Sequence, residues 1–327
     1  MKKSITAVLS ILTAVLLMGS MTAFAGEAED TVYNVGICQL VQHNALDAAT
    51  QGFMDALTEE LGEDHVVFDV QNAAGDSATC ATITAGFAAS EMDLIMANAT
   101  PALQAATSAT STIPILGTSV TDYGTALNIE NFSGTVGGNV SGTSDLAPLD
   151  QQADIIKELF PEAKTVGIMY CSGEANSVYQ ATTIRGFLED MGYTVEEYTF
   201  SDSNDVSFVT QSACEENDVL FIPTDNTAAS CTSAIDAVAR PTKTPIIAGE
   251  ENMCAGCGVA TLTISYYDLG RVTGQMAAKI LTGEEDIAEM PIQWAAETTK
   301  KYNAEICEDL GIEIPEGYEA IEVEEAE

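Results

Sequence analysis

The order of apolar, strand-like runs and amphipathic, helix-like stretches occurs twice along this chain, and that repeat limits the fold more than any other feature. "VYNVGICQL" (32–40) precedes a helical stretch from Asn44, "HVVFDVQ" (65–71) precedes one from Asp76, "DLIMANA" (93–99) precedes one from Thr100, and "IPILGTSV" (113–120) closes the series. Strands alternating with helices make a parallel sheet covered by helices. Farther on, "TVGIMY" (165–170) answers "NVGICQ", "IRGFLEDMG" (184–192) answers "TQGFMDALTEELG", and "DVLFIPTDNTAASCTSA" (218–234) answers "DLIMANATPALQAATSA" (93–109). The pairs Val35 and Val166, Gly52 and Gly186, and Asp93 and Asp218 are separated by 131, 134 and 125 residues. Offsets so nearly constant over several elements imply two similar doubly wound α/β lobes with a hinge and a cleft between them.

Domain boundaries follow from the segments between the copies. "NFSGTVGGNVSGTSDLAPLD" (131–150) is rich in Gly, Ser and Thr and suits a crossing between lobes. "YYDLGRVTGQMAAKILTG" (266–283) has helical spacing and ends in Gly283, a C-cap signal, and "MPIQWAAE" (290–297) reads as a strand. The expected first lobe is 31–143 plus about 266–289, and the second is 144–265 plus about 290–315. Crossings are expected near residues 143, 265 and 290, followed by a solvated, partly disordered acidic tail at 316–327.

Before the first lobe, residues 1–25 have the three parts of a secretory signal: Lys2 and Lys3, an apolar run from Ile5 to Met18, and the small residues Ala23 and Ala25. The run is shorter than the roughly 20 residues of a spanning helix, so export is expected. In "LMGS", Ser20 stands where a lipidated cysteine would be, which leaves no lipid attachment point. With 50 acidic against 11 basic residues the net charge is −39, which disfavours nucleic acid and anionic lipid as partners. The eight cysteines allow 105 complete pairings, which the sequence does not decide among. Cys254 and Cys257 in "MCAGCG" lack the further ligands of a zinc site and the strand-to-helix setting of a redox motif, so a structural turn is expected there.

Ligands of open parallel sheets bind beyond the carboxyl ends of the strands. At the end of the first strand stand Gln39, Gln42, His43 and Asn44. Asn44 with Asp47 suits helix capping, whereas Gln39 and His43 fit ligand contact and scaffold equally. The other strand ends read "NAT" (98–100), "GTS" (117–119), "CSGEANS" (171–177), "PTDN" (223–226) and "AGEE" (248–251), with no Lys or Arg among them. A polyanion would find little to balance its charge there. A zwitterion suits the set: its ammonium can meet Asp225 or Glu250, and its carboxylate can take hydroxyls and helix N-termini near Thr100 and Asn176. Asp225 also suits an N-cap. Tyr123, Tyr170 and Tyr179 stand near strand ends and could flank a ring.

Taken together, "GICQLVQHNALDAATQGF", "QNAAGD", "DLIMANATPALQAA", "GGNVSGTSD", "GEANS", "PTDN" and "YYDLGR" resemble the solute-binding proteins of ABC importers, in the branch with tryptophan- and tyrosine-binding members. The resemblance runs over essentially the whole chain after the leader. It implies a type I periplasmic-binding-protein fold, a small zwitterionic ligand of the aromatic amino-acid class, an ABC permease as partner, and an exported monomer in the periplasm or at the extracellular face of the cytoplasmic membrane. Carried across position by position, it implies Gln39, His43, Thr100, Thr118, Asp145, Asn176, Asp225 and Glu250 as cleft residues. Proline is usual in that family where this chain has Asn44, and many relatives have the lipidated cysteine that Ser20 replaces. No cofactor, metal or catalytic residue is expected. A secreted α/β enzyme would need an activated nucleophile or a metal, yet the only histidines are His43 and His65, and neither G-x-S-x-G nor H-E-x-x-H occurs. A sensory domain, or a carrier for a sugar or aliphatic amino acid, would share the fold.

Overall fold

The structure, a computed structural model, describes residues 31–322. The first lobe is built on strands β1 (Tyr33–Gln39), β2 (Val66–Asn72), β3 (Leu94–Asn98), β4 (Ile115–Val120) and β5 (Val140–Ser144). The second is built on β6 (Thr165–Cys171), β7 (Thr194–Phe200), β8 (Val219–Ile222), β9 (Ile246–Ala248) and β10 (Ala260–Thr263). Three short strands follow: β11 (Gln293–Trp294), β12 (Thr299–Tyr302) and β13 (Glu319–Ala320). The sheets run β11-β5-β4-β3-β1-β2 and β13-β12-β10-β9-β8-β6-β7. Without the last three strands, both read fifth, fourth, third, first, second, so the duplication in sequence is a duplication in space. Every pairing is parallel except β10 with β12, an antiparallel addition to the second sheet.

Central strands are apolar without alternation because helices cover both faces. In the first sheet, Cys38, Ile95 and Ile115 pack on one side, and Val35, Ile37 and Met96 on the other. The second sheet is likewise sandwiched, with Val166, Ile168 and Phe221 in one cluster and Met169, Leu220 and Ile222 in another.

The chain crosses between lobes three times. It leaves the first after β5 and returns after β10, when Tyr266–Leu281 lies along the first helix, Asn44–Leu61. Those helices touch backbone to backbone. A Cβ at Gly52 would collide with the Tyr267 carbonyl, and one at Gly270 with the Ala49 carbonyl. The third crossing comes later than the expected position near 290. Met290 and Ile292 are buried in the first lobe, and β11 pairs with β5, so the chain stays there until Trp294 and crosses at 295–298.

Two further expectations need correction. Part of the acidic tail is docked: β13 pairs with β12, Ile321 is buried, and the Tyr318 hydroxyl donates to Glu158 at 3.0 Å. Its apolar residues outweigh the carboxylates around them. Cys254 and Cys257 lie one turn apart on the helix Glu251–Cys257 with both thiols buried, rather than in a turn. The expected leader at 1–25 and the last residues, 323–327, lie outside the described residues. Among the described residues, no helix is long and apolar enough to cross a membrane.

Candidate functional site

The carboxyl ends of both sheets face one another, and there the lobes enclose a small cavity. The first lobe contributes His43 and Leu46 from the first helix, and Ser119 and Thr121 from the end of β4. The second contributes Asn176, Thr224, Asp225, Asn226, Ala229 and Glu250, while Asp145 and Tyr266 come from two of the crossings. About 10 Å³ is open to the centre of a water molecule, room for roughly one water. A wider interlobe chamber of ≈ 310 Å³ shares Asn226 as a wall. Hollows of ≈ 600 and ≈ 610 Å³ lie elsewhere, one against helices Asn44–Leu61 and Tyr266–Leu281 and one against Ala175–Asp190, with no buried unpartnered polar side-chain atom on either wall.

Three buried carboxylates stand on the cavity wall, and among the described residues no Lys or Arg does. Asp225, 1% exposed, caps the short helix Asn226–Ala229 through Oδ1, which accepts from Ala228 N at 2.8 Å. Its Oδ2 accepts from Cys171 N at 2.6 Å. Burial, with the nearby Glu174 charge, pushes its pKa up to about 7. Glu250 caps the helix Glu251–Cys257 by accepting from the Asn252 and Met253 amides, and burial pushes its pKa up to about 7. Asp145 accepts from two hydroxyls, Thr121 at 3.1 Å and Tyr266 at 2.9 Å, and burial raises its pKa against those bonds and one from its own backbone amide. A set of desolvated acceptors without a counter-ion favours a cation or a proton at this place.

Unpartnered atoms converge there as well. Eight buried side-chain polar atoms among the described residues have no hydrogen-bond partner, and three of them, His43 Nδ1, Ser119 Oγ and Asn176 Oδ1, belong to residues of this one wall. A buried polar group left unpaired costs about 1–3 kcal/mol, so the cluster is poised to accept a partner. Ser119 also has a left-handed backbone, φ 53°, in a register shift between Gly117 and Val120 at the end of β4. That bulge brings Ser119 to the cavity wall at a strain of about 1–3 kcal/mol.

Of the eight residues expected in the cleft, His43, Asp145, Asn176, Asp225 and Glu250 line the cavity. Gln39, Thr100 and Thr118 do not. Gln39 is consumed by scaffold bonds: its amide donates to Val41 O and Asp47 Oδ1, and its carbonyl accepts from Thr50. Thr118 lies inside the first lobe and accepts from Thr143 at 3.1 Å. Thr100 is buried at the start of its own helix, with Oγ1 unpartnered but off the cavity wall. Asn44 is not the cap of the first helix; His43 holds that position without a side-chain capping bond. Tyr123, Tyr170 and Tyr179 also stay off the cavity wall: Tyr123 donates to Thr143 O inside its lobe, and Tyr170 donates to Glu197. Sequence reasoning missed Leu46, Ser119, Thr121, Thr224, Asn226, Ala229 and Tyr266. The "GTS" and "PTDN" strand ends pointed at the right segments, but the bulge that selects Ser119 over Thr118 has no mark in the residue order.

Comparison with known proteins agrees with this architecture. The family model for ABC transporter substrate binding proteins matches residues 34–324. A tyrosine-binding protein of Clostridioides difficile (strain R20291) is 36% identical over 282 residues, covering 86% of this chain and 81% of the relative. An ABC domain from Streptococcus pneumoniae in complex with L-Trp is 33% identical with a TM-score of 0.84, covering 89% of this chain and 100% of that one. The ligand-free, open structure of a substrate binding protein with adhesive properties from Clostridium difficile is 37% identical, covers 90% of this chain and 100% of its own, and has a TM-score of 0.68. Two duplicated lobes, three crossings, a cavity between strand ends and a family match over nearly the whole described chain lead to one assignment: the chain belongs to the ABC transporter substrate binding protein family.

Proposed function

We propose that this protein captures one aromatic L-amino acid between its lobes outside the cytoplasmic membrane, as a monomer, and delivers it to an ABC permease without chemical change. The observation that carries the reading is the cavity wall with three buried carboxylates and no cationic side chain. An ammonium supplies the missing positive charge and three N–H donors, for which Asp225, Glu250 and Asn176 Oδ1 are acceptors. The ligand carboxylate suits the first lobe, where Ser119 Oγ is unpartnered. Ser119 is the new element here; Thr100, expected in that part from the sequence, lies off the cavity wall. The aromatic side chain is taken from the two relatives whose names specify tyrosine and L-Trp.

An amino acid does not fit in space for one water, so the lobes part to admit it and close on it to a slightly wider separation than the present one. Closer likeness to the L-Trp complex than to the ligand-free open relative, 0.84 against 0.68, supports reading the present arrangement as the closed one. A thermal-shift panel of the common amino acids and several sugars tests the reading. Tyrosine or tryptophan raises the melting temperature most; a sugar that does so in their place refutes it.

A further inference from the structure

The proton on His43 is fixed by its neighbours. Asn226 Nδ2 donates to Glu174 Oε2 at 2.6 Å, and an ionised carboxylate can only accept. The carbonyl of Asn226 is therefore the atom that faces His43 Nε2, at a long 3.4 Å. Nε2 must supply the hydrogen, which leaves Nδ1 a bare lone pair. That nitrogen is buried without a partner on a side chain of the cavity wall. Burial also lowers the imidazole pKa and so favours the neutral ring, although the Asn226 bond, Asp47 and Glu174 pull the other way. Leu46, in the first turn of the helix that His43 precedes, adds apolar surface to the same wall.

We propose that His43 Nδ1 is the acceptor for a donor on the ligand's ring, so that the site selects aromatic amino acids bearing a ring N–H or O–H, indole and phenol, over the phenyl ring. The inference rests on the reading of the cavity as an aromatic amino-acid site. With the ammonium held by carboxylates of the second lobe, His43 and Leu46 on the first meet the ligand's other end: apolar surface for the ring, a lone pair for its donor. Phenylalanine would leave that lone pair desolvated and unpaired, an asymmetry that makes a site built to hydrogen-bond a donor reject the analogue lacking it.

Calorimetric titration with L-tyrosine, L-tryptophan and L-phenylalanine tests it on the parent, on His43→Leu, which removes the acceptor, and on His43→Gln, which restores one. The parent binds tyrosine or tryptophan at least about tenfold more tightly than phenylalanine, for one neutral hydrogen bond. In His43→Leu that ratio falls below about threefold through weaker binding of the ring donors, and His43→Gln recovers part of it. Parity of phenylalanine in the parent overturns the inference and leaves the aromatic reading standing. So does an equal loss for all three ligands in His43→Leu. If none of the three binds the parent, the aromatic reading falls and takes this inference with it.

Discussion

Asp225→Asn separates the two duties that the structure gives this side chain. In the parent, one carboxylate oxygen accepts from Ala228 N and the other from Cys171 N. Asparagine keeps a single carbonyl oxygen, so its NH₂ must face one of those backbone N–H groups. An N–H left buried and unpaired costs about 1–3 kcal/mol. Removing a desolvated charge whose pKa stands at about 7 offsets part of that cost above neutral pH. The ligand-free variant should therefore fold and melt a few degrees below the parent. Binding should suffer more. A charge-assisted hydrogen bond to an ammonium contributes about 1.5–3 kcal/mol, so the dissociation constant should rise about tenfold to 150-fold. Calorimetric titration at pH 8, where the parent carboxylate is ionised, compares the two proteins with the same aromatic amino acid. A variant that melts lower but binds with an unchanged dissociation constant refutes the ammonium role and leaves Asp225 as a helix cap that also anchors Cys171.

The carboxylate cluster also makes binding depend on pH. Asp225 and Glu250 titrate near 7 in the fold, above the usual carboxylate range, so below pH 7 an ammonium must displace a proton, and the dissociation constant should rise by about tenfold per pH unit for each coupled proton. In the ligand-free protein the sign is opposite: the folded state holds those protons more tightly than the unfolded one, so their contribution to stability is present at acid pH and lost as pH rises through about 7, which melting at pH 5.5 and 8.5 measures. A pH-independent dissociation constant between those values counts against ligand contact by either group. Gln180, buried in the helix Ala175–Asp190, donates to Thr224 in its own lobe and to Thr121 Oγ1 across the cleft at 3.2 Å. Loss of that cross-lobe bond in Gln180→Met should weaken ligand binding by about threefold to tenfold and enlarge the radius of gyration of the ligand-saturated protein; equal affinity and equal size would show that the bond does not help hold the lobes closed.

Much of the fold was legible because burial on both sheet faces writes long apolar runs, and because those runs were written twice. β11, β12 and β13 were harder to read: two to four residues each, they owe their pairing to neighbours far along the chain. The third crossing was misplaced because "MPIQWAAE" reads as a strand without saying which sheet it joins. In the site, carboxylates were conspicuous among neutral strand ends, so Asp225 and Glu250 stood out; their simultaneous capping duty was foreseen for Asp225 alone. Gln39 looked like a ligand contact until its amide and carbonyl were both taken up by Val41, Asp47 and Thr50. Ser119 and Tyr266 escaped because a bulge in one case and a crossing in the other bring them to the cavity, and both are tertiary facts.

The most direct test of the account is a crystal structure of the protein grown with L-tyrosine or L-tryptophan. One molecule is expected between the closed lobes, its ammonium within hydrogen-bonding distance of Asp225 or Glu250 and its carboxylate toward Ser119. A ligand bound outside the cleft, or inside it with its carboxylate against Asp225 and Glu250, contradicts the account.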